Sequence, residues 1–294
     1  MNDGGLLDTV WIDFTNAISG YWGPYLQAYL MPLLLALVCL QFGMIAIEAT
    51  IGRDIPLVLM HILLGILRIG VVVAIFEHAT EWGLDITQTF QQVGENIAGG
   101  AFAFTPSSVF NHGGALMQAL FAAKAHGGWT VELVQAFEFF FAGIAVMFAW
   151  ALASLLYLGT LIEVALLIYA GPLIISVTPL TWTFDLLIAW ARSVLSISFK
   201  VALILMTLAV GTALADEWIA AMNPASFTTN IWNILVIVIE SAIFVYCVWK
   251  IPNRLSGLVP GAAVLGFGEA VAGRAGNAIV LLCQVYLNFL NRVG

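Results

Sequence analysis

Hydrophobic residues are grouped along the chain in five long runs in which polar positions are rare. A helix needs roughly 20 apolar residues to cross the hydrocarbon core of a bilayer, and these runs are about that long or longer. Hydropathy is continuous within each run and does not alternate, which favours helices over the strands of a transmembrane barrel. The predicted spans are residues 26–47, 57–76, 137–177, 188–214 and 231–249.

The segments beside these runs are amphipathic or polar. Residues 5–21 carry an apolar stripe with Asp8 and Asp13 off it, which predicts a helix at the membrane interface or against a partner. Residues 77–135 are acidic and rich in glycine, too irregular to face lipid, and therefore predict a large extramembrane segment. Within it we expect an amphipathic helix, a loop and a short helix, over 79–98, 99–113 and 114–125.

The predicted fold class is an all-α polytopic membrane protein with about five transmembrane helices and a large loop between the second and third. The pattern divides the chain into an N-terminal amphipathic helix, the first two spans, an extramembrane loop with short helices, the remaining spans, and a Gly/Ala-rich tail with a terminal helix. These regions are residues 1–24, 25–76, 77–136, 137–250 and 251–294.

Basic residues assign the two sides of the membrane, because they concentrate in cytoplasmic loops. Arg53 lies between the first two runs, and Lys250 and Arg254 follow the last one, so both places are predicted to be cytoplasmic. The segments 77–135 and 215–230 are acidic with almost no basic residues, and are predicted to lie on the opposite, outer side of the membrane.

The run 137–177 decides the number of crossings. Arg192 is predicted to be cytoplasmic, so this run must cross an odd number of times. One long tilted or broken helix of about 60 Å satisfies that condition, whereas a two-span hairpin does so only if part of it is re-entrant. Five crossings, with the N-terminus outside and the C-terminus in the cytoplasm, are favoured over six.

Composition supports membrane residence and excludes one class of partner contact. The 294 residues are 62% hydrophobic and 9% charged, with a mean hydropathy of +1.02, where a soluble domain carries about 25% charged residues. The net charge is −8, and no basic tract is present that would neutralise nucleic-acid phosphates. Cys39, Cys247 and Cys283 are far apart without a C-x-x-C spacing, so they are predicted to be core residues.

Ionisable residues inside the spans are candidate functional groups, since each costs about 2.5–3.5 kcal/mol at the middle of a membrane helix. Two interpretations remain open for them. They either pair between helices or subunits and reach an interface, or they line a polar path or gate; Arg68 is a candidate partner for Glu163 or Glu240. The candidates are His61, Arg68, Glu163, Lys200 and Glu240.

The sequence predicts no enzyme, no cofactor and no metal site. The stretch EHATEW places Glu77 and Glu81 on one helical face, but His78 does not join them and no second cluster accompanies them. None of the nucleophile-elbow, zinc-protease or phosphate-loop patterns occurs.

The stretch 169–193, YAGPLIISVTPLTWTFDLLIAWARS, combines apolar runs with a conspicuous turn. Proline disfavours continuation of the preceding helix and constrains the residue before it, so the two prolines predict a break. A second signal, WKIPN at 249–253, introduces the tail. The signature positions of the turn are Gly171, Pro172, Thr178, Pro179, Asp185, Trp190 and Arg192.

Together with the long acidic loop, these motifs resemble the TrbL family, the polytopic inner-membrane subunits of type IV secretion and conjugation systems. The resemblance extends over about residues 25–265 and is most specific between 165 and 205. It implies a bacterial inner-membrane channel or scaffold component that supports substrate translocation and pilus biogenesis. It also implies a homo-oligomeric ring, pentameric by family analogy, with pilin, ATPase and scaffold subunits as partners and with DNA or protein as transient cargo.

Exposed apolar residues outside the bilayer usually mark interfaces, and the loop and tail contain several. The candidate contacts with partners or sister subunits are Phe102, Phe104, Phe110, Trp249, Pro252, Gly257 and Gly261. The alternative function is a stand-alone secondary transporter or channel. Transporters of this kind often show internal repeats with matched broken helices, and the two halves of this sequence show no such repeat.

Overall fold

The computed structural model describes residues 5–51, 55–97, 104–122, 129–221 and 231–257, and in these ranges all regular structure is α-helical. Five of the helices are long and apolar enough to cross a membrane by length and composition. The prediction of an all-α polytopic membrane protein is thereby confirmed. The helices are α1 Leu6–Ile51, α2 Ile55–Ile97, α3 Pro106–Ala122, α4 Trp129–Tyr169, α5 Gly171–Ser176, α6 Phe184–Ala221 and α7 Ile231–Ser256.

Helices α1 and α2 are much longer than a membrane span. Helix α1 has 46 residues and α2 has 43, so each is roughly 65–70 Å long at 1.5 Å per residue. The amphipathic helices expected over 5–21 and 79–98 are therefore continuous with the apolar spans that neighbour them. For α2 the reason is local, because nothing between Phe76 and Gly83 is a helix breaker and the polar half continues the same backbone hydrogen bonding.

Helix α3 begins earlier than the sequence predicted. Residues 106–113 were expected in a loop because of their glycines and polar residues, and that expectation is wrong. Pro106 occupies the first helical position, where its missing N–H is not needed. The Thr105 hydroxyl accepts from the Ser108 N–H (3.1 Å) and the Ser108 hydroxyl accepts from the Thr105 N–H (3.0 Å). This reciprocal pair is a capping box in which serine takes the usual place of glutamate.

The start of α3 is also fixed to the start of α1. The Ser107 N–H donates to Asp8 Oδ1 (3.0 Å), and the Asp8 N–H donates to Ser107 Oγ (3.2 Å). A carboxylate at this position favourably meets the positive ends of two helix dipoles. The pair therefore ties the N-terminal turn of α1 to the N-terminal turn of α3.

Helix α4 is a single unbroken helix of 41 residues. Of the two readings of the run 137–177, the structure has one long helix over most of it, followed by the short α5. Gly159 does not interrupt it, and Glu163 is buried within it. The chain then turns at Ala170, passes through α5 with Pro172 in its first turn, and reverses over residues 177–183 into α6.

Helix α4 is the centre of the larger core. It packs against α3, α6 and α7, and its side chains Trp150 and Tyr157 are almost wholly buried. A smaller core lies where α1, α2, α5 and α6 meet, around Leu34, Phe76 and Trp190. Helix α7 continues through the buried Pro252 to Ser256, so the residues taken as the first part of the tail are helical.

Gly113 is required by the contact between α3 and α4. A Cβ at this position would overlap the Cβ of Trp150, which sits next to the α4 backbone and cannot swing away. We expect Gly113→Ala to push the two helices apart and to lower the free energy of unfolding by about 1–3 kcal/mol, the usual cost of overpacking. Denaturant titration of the purified protein in detergent, followed by tryptophan fluorescence, measures this.

Gly159→Ala is the matched control, because nothing lies within 4 Å of a Cβ at Gly159. Alanine in a helix interior stabilises by about 0.5–1 kcal/mol relative to glycine. If Gly113→Ala proves as stable as Gly159→Ala, the close approach of α3 and α4 is not the reason for the glycine.

Candidate functional site

A buried ion pair joins α4 to α6. Lys200 Nζ lies 3.1 Å from Glu163 Oε2, and the side chains are only 9% and 6% exposed. Removing two charges from water costs several kcal/mol per ion, so each group depends on its partner and on surrounding hydrogen bonds. The intramembrane charges were interpreted either as pairs between helices or as a polar path. Glu163 and Lys200 fit the first interpretation.

Buried hydroxyl groups on two different sides of α6 make further polar contacts. Ser198 Oγ and Thr87 Oγ1 of α2 are 2.9 Å apart, and Ser196 donates to the carbonyl of Ser256 at the end of α7 (2.9 Å). These contacts join α6 to both neighbours through buried polar atoms. Since buried hydroxyls are costly without partners, they fix the relative positions of α2, α6 and α7.

The other three intramembrane candidates do not join the ion pair. His61 is exposed on α2. The Arg68 guanidinium lies over the Phe184 ring with Cζ 5.1 Å from its centroid, a cation–π contact. Glu240 is half-buried and lines a groove between α6 and α7. The five candidates thus occupy four separate places and do not form one polar path within the chain.

The signature turn is closed by internal hydrogen bonds. The Thr178 hydroxyl donates to the Ile175 carbonyl (2.7 Å), and the Thr183 hydroxyl donates to the Val177 carbonyl (2.6 Å). The indole of Trp190 donates to the Leu167 carbonyl (3.2 Å) and packs on Gly171, where a Cβ would collide with the ring. These residues have a structural role, since they satisfy polar backbone groups in an apolar setting.

Gln41 is a residue that the sequence analysis missed. This buried amide of α1 donates from Nε2 to Thr181 Oγ1 (3.0 Å) and accepts at Oε1 from the Thr181 N–H (3.2 Å). It clamps the first span onto the turn 140 residues later. A lone amide inside an apolar run was the available signal, because such groups are retained in membranes where they find a hydrogen-bond partner.

The remaining signature residues differ in exposure. Pro172 and Pro179 are buried, whereas Asp185, in the first turn of α6, and Arg192 are exposed. An acidic side chain in the first turn of a helix interacts favourably with the positive end of the helix dipole. No contact of Arg192 accounts for its place in the motif.

The candidate interface residues divide between the core and the surface. Phe104 is buried in the chain's own core, and its carbonyl accepts from the Tyr157 hydroxyl (3.2 Å). Phe110 is half-buried. The apolar character of this loop is therefore explained in part by packing within the chain, while Phe102 and Gly261 lie outside the described residues.

At the end of α7, Trp249 is half-buried beneath Lys250, whose Nζ is 5.3 Å from the indole centroid. Pro252 is buried and Gly257 is exposed. An aromatic ring with a lysine above it is common at membrane–water interfaces.

Glu81 and Arg192, which the sequence analysis placed on opposite sides of the membrane, lie at the same height along the helices. Helices α2 and α6 run parallel, with Thr87 against Ser198. Glu81 and Arg192 each precede that contact by six residues, so both lie about 9 Å below it at 1.5 Å per residue. The sequence placed Glu81 outside and Arg192 inside, but these two residues do not bracket a flat bilayer. The physical reason is that α2 continues beside α6 instead of ending at Phe76.

The described residues contain no group of three or more His, Cys, Asp or Glu side chains placed to hold a metal ion. In the EHATEW stretch, His78 Nδ1 is 3.3 Å from Glu81 Oε2, and its ring stacks on Trp82. Both contacts are made along the exposed surface of a single helix.

Replacing Lys200 with methionine tests the ion pair. The variant leaves Glu163 buried without its counter-charge, so we expect a loss of roughly 3–5 kcal/mol in unfolding free energy. The double variant Lys200→Met, Glu163→Leu removes both charges and should recover most of the loss. A double variant as unstable as the single one, in detergent unfolding measurements, would show that the charges do not act as a pair.

Replacing Gln41 with leucine tests the clamp. The variant removes both hydrogen bonds that Gln41 makes to the exposed Thr181, and at about 0.5–1.5 kcal/mol for a typical hydrogen bond we expect the unfolding free energy to fall by about 1–3 kcal/mol. Gln92→Leu, at an exposed position of α2, is the control and should leave the unfolding midpoint unchanged. Equal midpoints for the two variants would contradict a clamp at Gln41.

Comparison with known proteins places the chain. Residues 34–251 match the family described as TrbL/VirB6 plasmid conjugal transfer protein. One relative, a conjugal transfer protein TrbL of Rhizobium radiobacter, is 25% identical over 219 residues, which are 72% of this chain and 53% of that protein. The chain therefore spans about half the length of this relative. Because the family match extends over most of the chain and overlaps all five described helices that could cross a membrane, this protein belongs to the TrbL/VirB6 family of plasmid conjugal transfer proteins.

Proposed function

We propose that this protein is an inner-membrane channel or scaffold component of a type IV secretion machine that moves DNA or effector protein between cells. The observation that carries the proposal is the family match over residues 34–251. The five long apolar helices, which a multi-pass membrane protein requires, support it.

The packing of one chain supports the proposal of a ring of several copies. Buried side chains occupy the space between α4, α6 and α7, around Trp150, Leu205 and Val245. The buried charges of Glu163 and Lys200 neutralise each other within that packing. A DNA or protein substrate therefore needs a passage between copies, and the proposed pentamer, taken from the family resemblance, provides one.

The proposed partners are other subunits of the same machine, including a pilin, secretion ATPases and inner-membrane scaffold components, together with the lipid bilayer. The relative's name describes conjugal transfer, and transfer through an envelope requires several such parts. The proposed role is to support pilus biogenesis and to hold the substrate passage, while cargo contacts the protein only transiently. We propose no catalytic step for any residue of this chain.

Conjugation frequency tests the proposed function. Deleting the gene from a donor that carries the complete transfer system should abolish plasmid transfer, and supplying the full chain in trans should restore it. The exposed-surface variant Gln92→Ala is the control for expression and should transfer normally. Normal transfer from the deletion strain would contradict the proposal, and uptake of a small solute by liposomes containing this protein alone would favour the stand-alone transporter.

Reporter fusions test the proposed topology, in which the N-terminus is periplasmic and the C-terminus cytoplasmic. We expect alkaline phosphatase to be active when fused after Ala122, because that enzyme folds only in the periplasm. A green fluorescent protein fused after Gly294 should fluoresce, because that reporter matures in the cytoplasm. An inactive phosphatase with a fluorescent reporter at Ala122 would reverse the first assignment, and a dark but fully expressed C-terminal fusion would reverse the second.

A further inference from the structure

Glu240 of α7 is an intramembrane carboxylate without a counter-charge in the described part of the chain. Its side chain is half-buried, and no described residue forms an ion pair or a hydrogen bond with it. Residues 222–230, which join α6 to α7, contain no lysine or arginine. Since an ionised carboxylate in a membrane helix is costly unless a cation meets it, Glu240 is a candidate ligand-binding group.

The carboxylate lies in an apolar groove between α6 and α7, which we name the α6–α7 groove. Its volume is about 720 Å³, within the range of roughly 300–1,000 Å³ that is usual for small-molecule sites. Its walls include Val210 and Leu214 of α6 and Ile243 and Cys247 of α7. Among the described residues that line it, Glu240 is the only charged one.

Glu240 lies toward the end of the groove that is nearer the connection between the two helices. Ser196 donates to the Ser256 carbonyl (2.9 Å), and a Cβ at Gly211 would overlap the Phe244 ring, so α6 and α7 are antiparallel. From the level of that ring, Glu240 is about 6 Å closer to the connection, at 1.5 Å per residue.

An indole and further acidic groups accompany Glu240 at this end. Trp218 is half-buried, lines the groove and lies about 10.5 Å from Gly211 in the same direction. The neighbouring charged residues of α6, Asp216 and Glu217, are exposed and also acidic. Negative charge favours a cationic ligand, and tryptophan is typical of the headgroup level of a membrane.

The opposite end of the groove is apolar and one lipid leaflet away. Leu203 of α6 and Ile251 of α7 line it there, and Ile251 is roughly 16 Å from Glu240 along α7. One leaflet contributes about 15 Å to a hydrocarbon core of about 30 Å. The groove therefore has the polarity and the length of a single phospholipid molecule.

Phospholipid surrounds both walls, because they belong to helices long and apolar enough to cross a membrane, Phe184–Ala220 and Ile234–Ser256. Headgroups differ in what they offer to a carboxylate. A primary ammonium group carries a compact positive charge and donates up to three hydrogen bonds, which are strengthened when the acceptor is ionised. A trimethylammonium group has no N–H to donate, and a glycerol headgroup leaves the phosphate charge uncompensated.

We propose that the α6–α7 groove binds one phospholipid whose headgroup ends in a primary ammonium group. The ammonium group donates to the Glu240 carboxylate, and an acyl chain lies along Ile243 and Cys247. In the proposed topology the connection between α6 and α7 is outside, so the lipid belongs to the outer leaflet. This inference goes beyond the proposed function and does not depend on what the machine moves, so its failure would leave that proposal standing.

Native mass spectrometry of the delipidated full chain measures the headgroup preference. Phosphatidylethanolamine, phosphatidylcholine and phosphatidylglycerol with identical acyl chains are added in turn. We expect phosphatidylethanolamine to bind about tenfold more tightly than the other two, the scale of one hydrogen bond to a charged group. Glu240→Gln keeps the shape of the side chain without its charge and should bind all three lipids equally.

Two control variants make the result specific. Glu217→Gln removes an exposed carboxylate at the same end of α6 that does not line the groove, and it should retain the preference. Ile243→Trp fills the groove at an exposed position and should weaken binding of all three lipids. Circular dichroism and gel filtration should match the wild type for every variant, including Glu240→Gln.

Cys247 reports occupancy of the groove itself. It is a free cysteine on the groove wall, about 10.5 Å from Glu240 along α7. In a chain with Cys39→Ser and Cys283→Ser, added phosphatidylethanolamine should slow alkylation of Cys247 by N-ethylmaleimide severalfold. Phosphatidylcholine at the same concentration should slow it less, and Glu240→Gln should remove the difference.

Three outcomes would overturn the proposal. Equal affinities of the wild type for the three lipids, or a preference that persists in Glu240→Gln, would show that Glu240 does not read the headgroup. An unchanged alkylation rate with phosphatidylethanolamine bound would place the lipid outside the groove. Equal lipid affinities together with a protein that co-purifies with the wild type and is lost in Glu240→Gln would assign the carboxylate to a basic side chain of a partner.

Discussion

The rest of the structure depends on one constraint, the burial of the Glu163 carboxylate near the C-terminal end of α4. A lone carboxylate in an apolar interior would be expelled or neutralised, and the helix that carries it could not run unbroken through the core. Lys200 of α6 removes that cost at 3.1 Å. With α4 continuous, α3, α6 and α7 all have one surface to pack against, and its Trp150 meets both α3 and α7.

The turn between α5 and α6 likewise satisfies its polar backbone groups with partners from the protein itself. The chain reverses direction between α5 and α6 without relying on water for the carbonyls of Ile175 and Val177, because nearby threonine hydroxyls donate to them. Gln41 adds a contact from a helix that is distant in sequence. In a bilayer, unsatisfied backbone groups cost several kcal/mol each. The short polar side chains in this apolar sequence therefore act as replacements for solvent.

The sequence was sufficient for the parts of the fold that depend on hydropathy and local motifs. It predicted the long apolar helices, a break at the prolines within residues 169–193 and the family resemblance, because these are encoded over short distances. It did not predict the start of α3, where the capping pair of Thr105 and Ser108 outweighs two glycines. Nor did it place Glu81 level with Arg192, because hydropathy reports how long a helix can be and not which neighbour lies beside it.

The link between Asp8 and Ser107 has a consequence for biosynthesis. The two partners are 99 residues apart, so the first turn of α1 leaves the ribosome long before its partner exists. At 5–20 residues per second, roughly 5–20 s pass between them. Most of α1 and all of α2 are made during that interval, while the amphipathic half of α1 has no α3 to hold it. The amphipathic half of α1 can dock on its partner only when translation reaches the loop, which makes the order of synthesis part of how this protein acquires its fold.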